Sequence, residues 1–195
     1  MKQINHFAIV AICISISGCN TTKGIGHLNP EFNGHQLNNI AVYVDNQGEM
    51  AETLESGIVN ELTNRGVKAV SVGNLSRFAK SNDDFVSRVW GLGVKEILVV
   101  VYSDSEGSAT AGYQTFGTAN TYGNTTNFNM TSTPMVGLYR TMMAKASIYN
   151  AKGDKIWEAD TERSAQGLAF IGDNLTISET ESAIIQSLHK DHLIP

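Results

Sequence analysis

Chemistry in this 195-residue chain starts with two thiols, Cys13 and Cys19. Cys13 lies inside an apolar run, Phe7 to Ile16, and Cys19 follows Ser17-Gly18 just beyond it. Lys2 is the only full positive charge ahead of that run. A charged start, an apolar middle and small residues at a cut site make a secretory signal. Removal of residues 1–18 takes Cys13 away and leaves one thiol, so no disulfide, no thiolate zinc site and no second cysteine for exchange is available. Elsewhere, His189 and His192 sit at i, i+3, a spacing that could share a metal on a helix, but no Cys or Glu partner accompanies them. Glu158, Asp160 and Glu162 alternate along one stretch and read as the solvated face of a strand rather than a carboxylate pair. Gly-x-Ser-x-Gly is absent, as is Gly-Lys-Ser/Thr, and Gly91-Leu-Gly93 lacks a third glycine and precedes a strand. No catalytic residue, no cofactor and no metal site is predicted, and the chain is expected not to be an enzyme.

Ile16-Ser17-Gly18-Cys19 resembles the lipobox of bacterial lipoproteins. The resemblance implies transfer of diacylglycerol to the Cys19 sulfur, cleavage after Gly18 and acylation of the new amino terminus. Asn20 stands where an Asp commonly retains such proteins at the inner membrane of Gram-negative bacteria. The implied location is therefore the inner leaflet of the outer membrane, facing the periplasm. The alternatives are an ordinary signal with an incidental Cys, or a buried helix; the run is too short to cross a bilayer, which takes about 20 residues. Two or more acyl chains suffice to hold a domain stably, at about 0.8 kcal/mol per buried methylene.

The formal charge is −5, and loss of Lys2 makes it −6. Without clustered cations the chain is a poor candidate for binding nucleic acid and for electrostatic docking on anionic lipid, and no nucleic-acid partner is expected. Three segments are expected: a signal at 1–18, a lipidated tether at 19–38, and one globular domain at 39–195. The tether is polar, with Gly24, Gly26, Pro30 and Gly34 and no hydrophobic period; His27 and His35 read as exposed linker residues.

The domain opens with a strand at Ile40–Asp45. Met50, Leu54, Ile58 and Leu62 then share one helical face, with Glu49, Glu52 and Glu55 in the first turns and Gly66 at the carboxyl cap. Val67–Val72 is a second strand. Ser81 starts a helix with Phe85, Val86, Val89 and Trp90 on its apolar side. Ile97–Tyr102 is apolar throughout, which suits a central strand covered on both faces. From Leu138 to Tyr149 the pattern alternates, Asn150–Asp154 turns, and Lys155–Arg163 returns with Trp157, Ala159 and Thr161 inward. Ser178-Glu-Thr-Glu181 reads as a capping box for a last helix carrying Ala183, Ile184, Ile185 and Leu188. The expected fold is an α/β (α+β) sandwich. Its mixed sheet runs β-α-β-α-β-long loop-β-β-α and ends in an antiparallel hairpin before the last helix.

Between the third strand and the hairpin lies an anomaly. No residue from Gly107 to Tyr139 is charged, and Thr, Asn and Gly dominate. Tyr113, Phe116, Tyr122 and Phe128 punctuate it. Read as a loop, it is longer than the fold requires and has the composition of an adaptable binding surface. These four aromatics are the candidate partner-binding residues. A barrel strand would need apolar residues at every second position over about 10 residues. Ala109, Ala111 and Tyr113 share one parity while Gly112, Phe116 and Tyr122 share the other, so no continuous band is predicted.

The strand Gly93-Val-Lys-Glu-Ile-Leu-Val-Val100, the uncharged stretch, and Ala146-Ser-Ile-Tyr-Asn-Ala-Lys-Gly-Asp-Lys-Ile-Trp-Glu-Ala159 together resemble a family of bacterial envelope lipoproteins of unknown function. The layout is similar to the amino-terminal domain of the Tol translocation protein. It is shared in general terms by lipoproteins of the curli secretion channel and by activators of penicillin-binding proteins. The resemblance spans roughly Ile40 to Leu188 and carries over no catalytic residue. It implies a non-catalytic interaction or assembly module in the cell envelope, held to membrane lipid through acylated Cys19 and working with an envelope protein partner. The alternative is a protomer of an oligomeric envelope channel or secretion assembly. Replacing Cys19 by Ser is expected to release the protein from membranes and to abolish incorporation of a labelled fatty acid; label retained in that variant would overturn the anchor.

Overall fold

The computed structural model describes residues 20–46, 48–122, 125–167 and 170–195. Six strands form one mixed sheet: β1 (Asn20–Leu28), β2 (Asn39–Val44), β3 (Lys68–Ser71), β4 (Glu96–Tyr122), β5 (Thr125–Asn150) and β6 (Lys155–Gln166). Their spatial order is β1-β6-β5-β4-β2-β3. β2 runs parallel to both β3 and β4, and every other neighbouring pair is antiparallel. Among the described residues, four α-helices complete the α/β sandwich: α1 (Glu49–Asn64), α2 (Gly73–Arg77), α3 (Asn82–Gly91) and α4 (Asp173–Lys190).

The long helices pack on one sheet face, here the helix face. Leu54, Ile58 and Leu62 of α1 and Ile184, Ile185 and Leu188 of α4 meet Ile40, Val42, Leu98, Val100, Ala146, Ile148 and Trp157 in one buried cluster. α1 ends as its sequence requires. Gly66 takes φ +85, and the Gly66 and Val67 amides donate to the Thr63 and Leu62 carbonyls. This left-handed glycine closure satisfies two otherwise orphaned carbonyls. Glu55, read from the sequence as part of an acidic first turn, is instead buried, and its carboxylate accepts from the Val44 and Gly73 amides at 3.0 and 2.9 Å. It fixes α1 to the end of β2 and to the start of α2.

The opposite, open face is only half covered. α2 and α3 shield β2 and the first part of β4 through Ala41, Val72, Val89 and Val94, with Tyr43 and Phe85 rings 4.9 Å apart. The third strand of the sequence reading was expected to be covered on both faces. Leu98 and Val100 are sealed, but Val101 is 49 % exposed, because no helix reaches past it on the open side.

Three further expectations change. Residues 20–38 are not a tether: Asn20–Leu28 pairs along its whole length with β6, from Asn20–Ala165 to Leu28–Trp157. The two glycines that looked like linker residues make room for α4. A Cβ on Gly24 would lie 2.7 Å from the Ser187 hydroxyl and 3.0 Å from the Ala183 carbonyl, and one on Gly26 would strike the Asp191 carboxylate. Next, the last helix begins at Asp173, not at Ser178; Thr176 and Thr180 donate their hydroxyls back to the Gly172 and Thr176 carbonyls, extending the helix through the supposed cap. Finally, His35 is half-buried with its Nε2 3.3 Å from Glu96.

His189 and His192 are exposed, and His192 takes φ +59 beyond the helix end, so the two do not share a helical face. The tail after them is packed: Leu193 and Ile194 are buried, and the Leu37 amide donates to the Leu193 carbonyl. Trp157 is fully buried, and its indole N–H donates to Asp191 at 2.7 Å. Trp157→Ala is expected to cost about 3–5 kcal/mol in urea unfolding, through the cavity left behind. A loss below about 1 kcal/mol would mean that the ring does not seal the helix face.

Candidate functional site

Gly107–Met135 is not a loop. β4 and β5 pair along their length, from Glu96–Asn150 to Tyr122–Thr125. β-branched threonines and aromatic residues suit extended backbone, and the sequence reading missed this because Gly and Asn dilute the pattern. β6 ends at Gln166, opposite Tyr139, so the farther part of β4 and β5 is a two-stranded ribbon with no third strand beside it. At about 3.3 Å per residue the ribbon projects about 45–50 Å from the sheet.

Its base is electrostatic. Glu106 lies opposite Arg140, Arg140 opposite Ala165, and Ala165 opposite Asn20, so one row crosses four strands where the packed sheet ends. Arg140 is 2 % exposed. Its guanidinium grips both Asp104 oxygens, donates to Asp173 at 2.5 Å and to the Ile171 carbonyl at 2.8 Å, and lies 3.2 Å from Glu106. The Asp104 hydrogen bonds push the Arg140 pKa above its already high ordinary value; burial opposes this and Asp173 adds to it. Arg163, also buried, donates to Glu179 at 2.6 Å and to the Phe170 carbonyl. Glu179 in turn accepts from the Asn20 side-chain amide at 2.5 Å and from the Thr22 hydroxyl at 3.2 Å. The first residues of β1 are thereby held at the same rim from which the ribbon leaves.

Neither arginine was predicted. The signal was present: Arg140 falls on the core parity of Leu138 and Met142, and Arg163 on that of Trp157, Ala159 and Thr161. A charge at an inward position demands a buried partner.

A β-bulge at Thr110/Gly112 changes which side chains share a face. One extra residue shifts the alternation of β4 by one. Tyr113 therefore lies opposite Pro134, on the same face as Val136 and Leu138, while Phe116 lies opposite Thr131 on the other. The two candidate aromatics are 71 % and 59 % exposed but point to opposite sides, so they do not form one binding patch. The backbones of Tyr122 and Phe128 lie opposite Thr125 and Ala119; their side chains, and all of Cys19, lie outside the described residues.

With the register known, β5 alternates cleanly. Met130, Ser132, Pro134, Val136 and Leu138 continue the helix face, and Thr131, Thr133, Met135, Gly137 and Tyr139 the open face. Thr115 and Ser132 satisfy each other's hydroxyls at 2.9 Å on the first of these faces. At the root of the ribbon the Tyr139 ring lies over Gly107, where a Cβ would collide with it.

A concavity of about 790 Å³ lies at the far end of the open face, between α3 and the Asn150–Gly153 turn. Its walls are mainly Tyr43, Phe85, Val89, Trp90 and Tyr149. No group of three His, Cys, Asp or Glu residues that could hold a metal occurs among the described residues.

No protein-family model matches the chain, and no curated protein matches it. Among solved structures, it is similar to a single-substitution variant of the PelC dodecamer from Paraburkholderia phytofirmans, at 13% identity and a TM-score of 0.48, covering 87% of this chain and 96% of that one. A second PelC dodecamer structure from the same organism gives 13% identity and a TM-score of 0.47 over 87% and 95%. A PDZ domain protein from Parabacteroides distasonis gives 10% and 0.30, over 74% of this chain and 31% of that chain. Likenesses this distant bear on neither function nor assembly.

The ribbon contributes nothing to the sealed core, which ends at Arg140. Replacing residues 109–133 with a short glycine-containing turn is expected to leave the melting temperature of the lipid-free protein nearly unchanged. Loss of cooperative unfolding in that variant would make the ribbon part of the fold.

Proposed function

We propose that the chain is a non-catalytic, lipid-anchored component of the bacterial cell envelope that works by assembly, with copies pairing through the edges of the projecting hairpin. The observation that carries this reading is the ribbon itself. A lone two-stranded hairpin is marginally stable in water, and a long edge offers a row of unpaired amides and carbonyls to any other strand. Edge strands that must stay single are guarded by charge, and no residue from Gly107 to Tyr139 carries one. Pro134 removes a single donor from β5, the one local obstacle to pairing there. Exposed Tyr113, Met130, Met135 and Val136 are further surface that water does not favour.

The geometry of the hairpin supports self-pairing. A hairpin has two different edges, one on β4 and one on β5. Joining the β5 edge of one copy to the β4 edge of the next is a head-to-tail contact, which closes into a ring when the rotation between copies brings the last onto the first. Such a ring contains an even number of antiparallel strands, as closed barrels of hairpins do. Pairing with one strand of a different envelope protein would satisfy only one edge and leave the other open.

Protein extracted from membranes in mild detergent is expected to run as one discrete multimer by light scattering, and the variant lacking 109–133 as a monomer. A full-length protein that is monomeric both in detergent and after cross-linking in intact membranes would overturn the proposal.

A further inference from the structure

The register of the sheet says which way the ribbon points relative to the anchor. Asn20 stands in the row Glu106–Arg140–Ala165–Asn20, at the rim where the ribbon leaves. Its side chain is bound to Glu179, and β1 is paired with β6 from its first residue, so there is no slack between residue 20 and the domain. Residue 19 is one peptide unit away, about 3.8 Å from Cα to Cα. On the reading that Cys19 carries the lipid, the rim is held at the bilayer surface, and the ribbon starts from that same surface.

The ribbon's composition changes at the same level on both strands. Glu106 and Arg140 are the last charges, directly opposite each other, and no charge follows on either strand until the chain returns. Tyr139, at the root, is the amphipathic ring found at membrane–water boundaries. Beyond it, Met130, Ser132, Pro134, Val136 and Leu138 occupy one face of β5, joined across the bulge by Tyr113, while Thr131, Thr133, Met135 and Gly137 occupy the other, with Phe116 opposite Thr131. A membrane-crossing strand needs about 9–11 residues with apolar and polar faces alternating, and the uncharged stretch exceeds that length.

We infer that the hairpin enters the hydrocarbon of the bilayer, with the Met130–Val136–Leu138 face toward lipid and the Thr131–Thr133 face toward the interior of the assembly. The inference rests on the lipid-anchored, self-pairing reading, and it names the partner of the ribbon's apolar face as acyl chains. The charged rim of Asp104, Glu106, Arg140 and Asp173 then sits at headgroup level and marks the depth at which insertion stops.

The test uses the full lipidated chain, in which acylated Cys19 leaves no free thiol. Val136→Cys and Met130→Cys on one face, and Thr133→Cys and Thr131→Cys on the other, are labelled with an environment-sensitive fluorophore. Each is reconstituted into phosphatidylcholine vesicles with or without brominated acyl chains. All four positions lie on the ribbon, away from the sealed core, so the domain fold is not at stake. The expected result is loss of fluorescence to the brominated chains at 130 and 136 with little loss at 131 and 133. Absence of quenching at all four positions, in protein that still runs as a discrete multimer, would overturn insertion while leaving assembly intact. Equal quenching on both faces would overturn the assignment of faces. A monomer in detergent would instead sink the assembly reading on which the inference rests.

Discussion

A buried guanidinium sets the boundary of this fold. Desolvating a charge costs several kcal/mol unless it is paired and fully hydrogen-bonded, and removing one partner of a buried pair typically costs about 3–5 kcal/mol. Arg140 meets that demand with Asp104 from the neighbouring strand, Asp173 from the first turn of α4 and a carbonyl of the preceding loop. Arg163, one strand away, is paired with Glu179 and donates to the Phe170 carbonyl, while its Nη1 is buried without a partner. The two arginines bind the β6–α4 connection to the sheet, which seats α4, and α4 in turn supplies the carboxylate that holds the start of β1. Packed sheet lies on one side of this row and bare ribbon on the other.

Much of the core was legible. Met50, Leu54, Ile58 and Leu62 at helical spacing, Gly66 at the helix end, and the alternation through β5 and β6 each reflect one physical demand, and each appears where expected. What escaped notice did so for identifiable reasons. β1 lacks a hydrophobic period because its inward positions include Gly24 and Gly26, chosen for closeness to α4 rather than for flexibility; in sequence the two uses of glycine look alike. The bulge defeated the parity count in the ribbon, since a single extra residue inverts every later position on that strand. The buried arginines were visible only as charges on an inward parity, a signal that has meaning once the strand is known to be covered. Of the four candidate aromatics, Tyr113 and Phe116 fall on opposite faces of a ribbon that the sequence suggested was a loop, and the side chains of Tyr122 and Phe128 lie outside the described residues.

The late partner of β1 also bears on how the protein is made. β1 is translated first among the described elements, yet its strand neighbour there, β6, is almost the last, and the Asn20 side chain waits for a residue 159 positions further on. Long-range closures of this kind form slowly, because the entropy of a large loop is lost before any contact compensates it. Until β6 exists, residues 20–28 remain an open, extended peptide. On the lipid-anchored reading proposed above, enzymes that process the amino terminus would meet an accessible chain before strand closure withdraws residues 20–28 into the sheet. On that reading, topology by itself would place maturation before folding.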